Sequence, residues 1–342
     1  MRRDEGAMKP DMKGEQRVHA VRRIAAALLF ALALPLPAPV YAQVYPARPI
    51  KLVVPFAAGG AADIVGRAVA ERLAGVLKQQ IVVENIAGAG GALATSLTAK
   101  AEPDGYTLLY VTTSTFVTTP IFIRTANYDP LTSFAPISLL SSMAAMVVVN
   151  PSLPAQNLGE LAALIKAAPG RYRYATSGVG TLSFLGGELF KSLTRLDIRE
   201  VQAKGPTAAA QSVVSGDADM MFDLPVFFVK HAREGKLRPL AAMGISRSPD
   251  FRDVPTAVEA GLPELLAYAW SGVVAPAGTP RDIVDVINRA VRSVLAEIET
   301  QATFQRYGLF AEGSTPGEFE RIIRAELTKW SRALPLSATA PR

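Results

Sequence analysis

The chain lacks cysteine altogether and has only two histidines in 342 residues. Without cysteine it can form no disulfide, no thiolate nucleophile and no cysteine-ligated metal site. The histidine of the second half, His231, stands near Lys230 and Arg233 and matches no motif, which favours a solvated surface residue over a catalytic base. The sequence contains neither a G-x-S-x-G elbow nor a metal-ligand spacing. We therefore expect no catalytic residue, no metal site and no cofactor.

An excess of one charge is also missing once the N-terminus is set aside. The formal net charge is +6 over the whole chain but only +3 after residue 42. No Lys/Arg block with interleaved aromatic residues remains, so the sequence does not indicate nucleic-acid binding. Hydrophobic residues make up 49% of the chain, which predicts an extensive core in one large or two medium-sized domains.

The first 42 residues predict export. Arg17, Arg22 and Arg23 precede an apolar run over residues 24–36, and Val40-Tyr41-Ala42 ends in a small residue suited to cleavage. This order of basic, apolar and small-residue segments is typical of a secretory signal peptide. The apolar run is too short to span a bilayer comfortably, which favours cleavage after about Ala42 over a retained membrane anchor.

One stretch organises the rest of the chain: a predicted strand over residues 50–54, a small-residue loop and an amphipathic helix. The start of a helix leaves N–H groups unpaired at the positive end of the helix dipole, so this loop can bind a carboxylate or a phosphate. It has neither the Walker A pattern nor the dinucleotide fingerprint, and an ordinary tight turn is the alternative. Asp63, at the helix start, is either a base or metal ligand or, as its position favours, a helix cap or a brace for the loop.

Further strand–turn–helix units follow. Predicted strands over residues 81–85 and 106–111 alternate with helices, which predicts a parallel, doubly wound sheet with ligands beyond the carboxyl ends of the strands. A strand over residues 171–176 and a Gly/Ser loop repeat the first unit and predict a second domain with its own anion-accepting helix start. Near the C-terminus we expect one helix from Arg281 to about Thr303 and another, capped by Thr315, to about Leu334.

Two residues of the second half have two interpretations each. Asp223 ends a predicted strand over residues 219–223 and either faces a ligand ammonium or braces its loop. Trp270 lies in a predicted strand over residues 267–275 that returns the chain to the first domain, and it either borders a cleft or belongs to the core. The residues alone leave both choices open.

Ordered motifs along the whole mature chain resemble one family, the Bug-type or TctC-like extracytoplasmic solute receptors of tripartite tricarboxylate transport systems. Each motif is weak by itself, and their order and spacing carry the resemblance. In chain order the motifs are Tyr45-Pro46-x-Arg48-Pro49-Ile50, Val54-Pro55-Phe56-x-x-Gly59-Gly60-x-x-Asp63, Val82-Val83-Glu84-Asn85-x-x-Gly88-Ala89-Gly90-Gly91, Ala101-x-Pro103-Asp104-Gly105-Tyr106-Thr107-Leu108, Tyr128-Asp129-Pro130, Phe134-Ala135-Pro136-Ile137-Ser138, Gly187-Glu188-Leu189-Phe190, Met221-Phe222-Asp223, Asp253-Val254-Pro255-Thr256, Glu259-Ala260-Gly261-Leu262-Pro263, Ala275-Pro276-Ala277-Gly278-Thr279-Pro280 and Gly313-Ser314-Thr315-Pro316.

The resemblance implies the type II periplasmic binding protein fold, an α/β architecture of two doubly wound domains joined by two crossover strands with the ligand cleft between them. It assigns residues 43–145 and 270–342 to the first domain and residues 146–269 to the second, with crossovers near residues 141–147 and 268–273. It further implies a monomeric periplasmic receptor that captures a small carboxylate by domain closure and delivers it to a membrane transporter. The alternative is a receptor that presents its ligand to the sensor kinase of a two-component system.

By position, the resemblance places loops of both domains around the ligand, which backbone amides, hydroxyls and bridging waters would hold. The predicted ligand-binding residues are Phe56, Ala57, Ala58, Gly59, Gly60, Asp63, Thr112, Thr113, Ser114, Ser177, Gly178, Gly180, Thr181, Phe184, Phe222 and Asp223.

The chain departs from the family pattern in ways that remove polar groups. Ala57-Ala58 stand where two prolines, or a proline and a small residue, are frequent, and Ala61-Ala62 where a glycine and a hydroxyl residue are usual. Phe184 replaces a common histidine, Gln202-Ala203 stand where a tyrosine is usual, and Leu224 replaces an asparagine. These changes predict a ligand with a larger apolar part, such as an aromatic or branched carboxylate, rather than a small tricarboxylate.

Overall fold

Two β-sheets carry the fold. The computed structural model describes residues 45–123 and 125–334, and the predicted signal peptide over residues 1–42 lies outside them. In chain order the strands are β1 Ile50–Val54, β2 Ile81–Asn85, β3 Thr107–Thr112, β4 Phe134–Ala144, β5 Met146–Val149, β6 Arg173–Thr176, β7 Arg199–Gln202, β8 Met220–Asp223, β9 Arg238–Ala242, β10 Tyr268–Pro276 and β11 Phe310–Ala311. One sheet has the order β11-β4-β10-β3-β1-β2 and the other the order β7-β6-β8-β5-β9.

Helices connect and cover these strands. In chain order they are α1 Ala61–Leu77, α2 Ala92–Thr98, α3 Thr119–Phe122, α4 Leu158–Ala167, α5 Leu182–Thr194, α6 Pro206–Ser215, α7 Val229–Arg233, α8 Arg281–Leu295, α9 Ile298–Arg306 and α10 Pro316–Ala333. A π-helical turn, Ser114–Thr118, directly precedes α3. Two short 3₁₀ turns, Ala89–Gly91 and Pro225–Phe227, complete the described elements. No described helix is both long and apolar enough to cross a membrane.

The strand directions correct the expectation of a purely parallel sheet. β1 pairs in parallel with β2 and β3, and β6 with β7 and β8, as the repeated strand–helix units predict. However, β10 pairs antiparallel with both β3 and β4, and β5 pairs antiparallel with β8 and β9. The strands β5 and β10 each bring the chain from one sheet into the other. Each enters its new sheet at the carboxyl end of the parallel strands and therefore runs antiparallel to them.

We call the six-stranded sheet with its helices lobe 1 and the five-stranded sheet with its helices lobe 2. The chain passes from β4 to β5 through the single residue Ala145 and returns through β10. The described residues belong to one compact unit, so the exact domain boundaries, 145/146 and 269/270, stay a prediction.

Helices cover both faces of the sheet in lobe 1. Ile50, Leu52 and Val54 of β1 pack into a cluster with α1 and α8, while Val53 points into a second cluster that also holds residues of lobe 2. Burial on both faces explains why β1 is a nearly continuous apolar run.

Two predicted helix starts are confirmed and one helix is corrected. Asn157 caps α4 by accepting from the Glu160 amide, and Thr315 forms a capping box with Glu318 at α10. The single helix predicted from Arg281 to about Thr303 is two helices, because the backbone of Glu297 is extended (φ −70°, ψ 135°) and interrupts it.

Candidate functional site

The loop between β1 and α1, residues 55–60, is held in place by one carboxylate. Asp63 accepts hydrogen bonds from the Gly59 amide at 2.8 Å and from Asn85 Nδ2 at 2.9 Å. Arg67 Nε lies 2.9 Å from the same carboxylate, and Asn85 Nδ2 also donates to the Phe56 carbonyl at 3.1 Å. With these partners, Asp63 braces the loop, which is the role favoured by its position in the sequence.

The electrostatics of Asp63 fit this role. Its side chain is only 6% exposed, and burial alone acts to raise its pKa. Hydrogen bonds from Gly59, Arg67 and Asn85, together with the positive charge of Arg67, outweigh burial and hold the pKa below its ordinary value. The carboxylate is therefore ionised near neutral pH and fully engaged inside the protein.

The loop that Asp63 holds presents backbone to the surface. Ala57, Ala58, Gly59 and Gly60 are exposed, whereas Phe56 is half-buried. The N-cap of α1 is Gly60, so no side chain caps the helix. Among the described residues, the amides from Gly60 to Asp63 have no hydrogen-bond acceptor, and neither has the amide of Ala58. Unpaired N–H groups at the start of a 17-residue helix form an environment that favours an anion.

Loops after β2 and β3 lie against this site. Gly91 has φ +90°, and a Cβ there would come within 2.6 Å of Thr115 Cγ2 and 3.2 Å of Pro55 Cβ. Thr112 and Ser114 hydroxyls lie 2.8 Å apart, and the Thr112 amide donates to Thr115 Oγ1. Thr112 and Ser114 are both half-buried at the carboxyl end of β3, as expected for strand-end hydroxyls.

Thr113 makes hydrogen bonds within the protein, and its predicted place at the ligand stays a prediction. Its hydroxyl accepts from the Trp270 amide at 2.9 Å and lies 3.3 Å from the Tyr268 carbonyl, so it ties β3 to the returning strand β10. Both hydrogen bonds of the Thr113 hydroxyl are therefore made within the protein.

Trp270 itself is 4% exposed and packs edge-on against Phe319, which places its ring in the core beside the crossover.

The loop between β6 and α5, residues 177–181, uses its polar groups internally. The Ser177 amide donates to Ser183 Oγ at 3.0 Å and the Gly178 amide donates to Thr176 Oγ1 at 3.1 Å. Thr181 is the N-cap of α5: its hydroxyl donates to the Gly178 carbonyl and accepts a long bond, 3.5 Å, from the Phe184 amide. Unlike α1, this helix therefore starts with a side-chain cap.

The two lobes touch at this second loop. A Cβ on Gly180 would lie 3.2 Å from Phe122 Cδ2 and 3.6 Å from Thr118 Cβ, so lobe 2 reaches the segment after β3 of lobe 1. Phe184 and Phe122 meet edge to face with ring centroids 6.4 Å apart. Phe184, at 4% exposure, thus forms an apolar wall between the lobes.

Two predicted site residues, Phe222 and Asp223, lie next to each other at the end of β8 and have different surroundings. Phe222 is fully buried and packs against Tyr174 and Phe190, with centroids 6.0 and 5.3 Å away. Its side chain points into the core because successive strand residues face opposite sides, and its predicted place at the ligand stays a prediction. Asp223 is 4% exposed and accepts from the Leu224 amide at 2.8 Å.

Asp223 differs electrostatically from Asp63. Burial raises its pKa to about 7, although hydrogen bonds from the Leu224 amide and the Ser183 hydroxyl act in the opposite direction. No cationic group lies within ion-pair distance of it among residues 45–123 and 125–334. The side chain can therefore exchange a proton near neutral pH.

Sequence reasoning missed several residues that hold or border the loops of the candidate site. Asn85 links Asp63 to the Phe56 carbonyl, and its position at the carboxyl end of a strand was the available signal. Thr118 and Phe122 lie in the helical segment after β3, which no apolar periodicity in the sequence predicted.

His231 is half-buried, and its Nδ1 has no hydrogen-bond partner among the described residues, which corrects the expectation of a solvated side chain. No group of His, Cys, Asp and Glu within the described chain could hold a metal ion.

Comparison with known proteins identifies one family. A family model described as the tripartite tricarboxylate transporter family receptor, TctC, matches residues 65–335. BugT of Bordetella pertussis is 33% identical over 315 residues, which cover 92% of this chain and 97% of BugT.

Solved structures agree with this match. The periplasmic binding protein BugD has 30% identity and a TM-score of 0.63 over 84% of this chain and 96% of BugD. Rpa4515 of R. palustris, solved with adipate, has 30% identity and a TM-score of 0.67 over 86% of this chain and 98% of its own. MatC of Rhodopseudomonas palustris, solved with malate, has 32% identity and a TM-score of 0.65 over 84% of this chain and 99% of MatC. These likenesses and the two sheets confirm the predicted periplasmic binding protein fold.

Proposed function

Because this chain belongs to the TctC family of tripartite tricarboxylate transporter receptors, we propose that it is a periplasmic receptor that captures a small organic carboxylate. The observation that carries this proposal is the uncapped start of α1, with the amides of Ala58, Ala61 and Ala62 unpaired beside an exposed loop. Rpa4515 with adipate and MatC with malate support a carboxylate as the ligand class.

The chemistry of capture follows from the loop. A carboxylate that accepts from backbone N–H groups at a helix start gains charge-assisted hydrogen bonds and the favourable field of the helix dipole. Closure of the two lobes about the crossover strands would exclude water and strengthen these bonds. We expect micromolar or tighter affinity, about −8 kcal/mol or better.

The apolar walls support a ligand with a sizeable apolar part. Phe184 and Phe122 meet between the lobes, and Ala57 and Ala58 line the exposed loop without a hydroxyl. A citrate-like molecule would leave several carboxylates without partners against these surfaces, at a cost of desolvation. We propose an aromatic or branched carboxylate.

Thermal shift followed by calorimetry tests the ligand class. The protein purified from the periplasm would be unfolded and refolded to remove carried-over solute, then mixed with benzoate, 2-methylbutyrate, adipate, malate, citrate or glucose. A carboxylate at 100 times its Kd should stabilise the fold by about 2.7 kcal/mol. Tight citrate binding with no response to the apolar acids would refute the apolar ligand, and a response to glucose alone would refute carboxylate capture.

We further propose delivery to a tripartite tricarboxylate-type membrane transporter, by a monomeric receptor without catalysis or cofactor. Presentation of the ligand to a sensor kinase is the second candidate, because a closed, liganded receptor can serve either partner. Deletion of the gene separates the two: loss of uptake of the radiolabelled carboxylate supports transport. Unchanged uptake with lost transcriptional induction by that carboxylate supports signalling.

A further inference from the structure

A groove lies between the lobes, away from the glycine loops. Its volume is about 550 Å³, and its apolar walls include Leu139, Phe310 and Ile322 of lobe 1 and Pro225 and Ile245 of lobe 2. Tyr268 and Trp270 of the crossover strand β10 also line it. We call this space the hinge groove.

The strand order puts the hinge groove on the other side of the crossovers from the glycine loops. In lobe 1, β4 and β10 separate β3 and β1, which lead into the site loops, from β11, which borders the groove. In lobe 2, β5 separates β8 and β6 from β9, whose end at Ala242 also borders the groove. The hinge groove and the lobe contact at the glycine loops therefore share one hinge and lie on opposite sides of it.

The charges around the groove are neutralised with one exception. Arg247 pairs with Glu259, Asp250 with Arg233 and Glu326 with Lys329. Glu312 accepts a hydrogen bond from the Ser142 hydroxyl, and among the described residues it has no cationic partner. Tyr268 accepts from the Ile245 amide at 2.7 Å, which leaves its own proton free to donate.

We propose that the hinge groove is a second ligand site, for a small apolar molecule that carries one positive charge. Its volume falls in the range of small-molecule sites, about 300 to 1,000 Å³, and its lining is mainly apolar with a few polar groups, as such sites require. The unneutralised Glu312 favours an ammonium over an anion at the rim. The ligand class therefore differs from the carboxylate proposed for the glycine loops, and this site does not depend on that proposal.

Occupation of the groove favours the arrangement in which the lobes touch at the glycine loops. Phe122 meets Phe184 across the lobes while the groove has its present width. Bending about the crossovers that separated these rings would narrow the groove on the opposite side. A molecule that fits the groove at this width binds that arrangement better and shifts the population toward it.

Calorimetry with 1-adamantylamine and its neutral analogue 1-adamantanol tests the site on the whole purified protein. We expect one amine per chain, bound three- to fivefold more tightly than the alcohol, as an exposed ion pair allows. Glu312→Gln should abolish that preference, whereas Glu102→Gln, at an exposed loop position away from the groove, should leave it unchanged. Amide exchange at Thr181 and Leu185, which donate to the Gly178 and Thr181 carbonyls and which the amine does not touch, should slow when it binds.

Filling the groove locates the binding. Ala325 lines the groove from an exposed position on α10, so Ala325→Trp should fold normally and lose amine binding at least tenfold. Ala302→Trp, at an exposed position on α9 outside the groove lining, is the matched control. No amine binding, equal binding of amine and alcohol, or binding retained in Ala325→Trp would overturn the site. Binding without slower exchange at Thr181 and Leu185 would overturn its coupling to the lobe contact.

Discussion

The two glycine loops have similar sequences but differ in what satisfies their backbone. At the loop of residues 55–60, no side chain caps α1, and the amides at the helix start are unpaired among the described residues. At the loop of residues 177–181, hydroxyls of Thr176, Thr181 and Ser183 take up amides of the same segment. The sequence predicted an anion-accepting helix start in both lobes, and the side-chain cap at Thr181, which α1 lacks, makes the first the stronger candidate.

The carboxylate beside each loop shows the same contrast. Asp63 is surrounded by donors and has a lowered pKa, whereas Asp223 is buried with few donors and has a pKa of about 7. The first carboxylate fixes the loop in its ionised form. The second can become neutral near physiological pH. In the proposed function, lobe 1 would therefore supply a braced anion site, and lobe 2 an apolar and titratable surface that closes over it.

Removing the Asp63 brace should have the largest effect. Asp63→Ala leaves the Gly59 amide, Asn85 and Arg67 without their shared acceptor, and we expect a loss of about 2 to 4 kcal/mol in the free energy of unfolding. Carboxylate affinity should fall at least about tenfold, because the loop is no longer preorganised. Urea denaturation and calorimetry measure the two effects.

Asp250→Ala is the matched control for this change. Its ion pair with Arg233 is exposed, with the two side chains 43% and 64% accessible, so its loss should cost less than about 1 kcal/mol. Equal effects of the two substitutions would show that Asp63 is not a special brace.

The pH dependence of stability should have opposite signs at the two carboxylates. Because the folded-state pKa of Asp223 is raised, its contribution to stability is present below about pH 4 and is lost as pH rises through about 7. Asp223→Asn should therefore gain stability relative to the wild type between pH 4 and pH 8, by about 2 to 4 kcal/mol.

Asp63 contributes in the other direction. Its folded-state pKa is lowered, so its stabilisation is present above about pH 4 and disappears as pH falls through the folded-state pKa. Asp63→Asn should thus lose most stability at neutral pH and little in acid. Denaturation curves at several pH values check both variants, and parallel profiles would contradict the contrast.

Supplying the missing cap should make the first loop resemble the second. Gly60 has φ −79°, and a Cβ there meets only the Ala57 carbonyl at 3.5 Å, so substitution is sterically tolerated. Gly60→Asp brings a carboxylate to the helix start, which should raise stability by about 0.3 to 1 kcal/mol and weaken carboxylate binding about tenfold through competition. Gly60→Asn, which caps without charge, should weaken binding less. Unchanged affinity in Gly60→Asp would contradict an anion site at α1.

The smallest effect is expected at the cap of the second loop. The bond from the Phe184 amide to Thr181 Oγ1 is long, at 3.5 Å, so Thr181→Ala should cost only about 0.5 to 1 kcal/mol. Carboxylate affinity should change by less than about threefold if this loop serves mainly as a cover. A tenfold loss of affinity, measured by calorimetry, would give the second loop the role assigned to the first.

Local signals predicted much of this structure. A capping residue followed three positions later by glutamate predicts a helix start from four residues alone. Both examples, Asn157 with Glu160 and Thr315 with Glu318, form the predicted caps. The strand–turn–helix order predicted the parallel strands, because short connections on a sheet permit few alternatives. The family motifs predicted two domains, which the paired sheets and solved relatives confirm.

What the sequence could not reveal depends on distant partners. Thr113 bonds to Trp270, 157 positions away, and Asp63 bonds to Asn85, 22 positions away. Whether the Phe222 side chain is buried depends on which face of β8 packs against Tyr174 and Phe190. The turn at Ser114–Thr118 is rich in hydroxyls and has no apolar period that predicts a helix. Glu297, which interrupts the predicted helix, pairs with Arg72 of α1.

The most direct test of the asymmetry is a map of backbone amide chemical shifts on addition of the carboxylate that stabilises the protein most. The largest changes should occur at Ala58, Ala61 and Ala62, whose N–H groups would gain an anionic acceptor. Smaller changes should occur at Ser177 and Gly178, whose amides already have acceptors. Larger shifts at Ser177 and Gly178 than at the start of α1 would contradict the proposal that lobe 1 holds the anion.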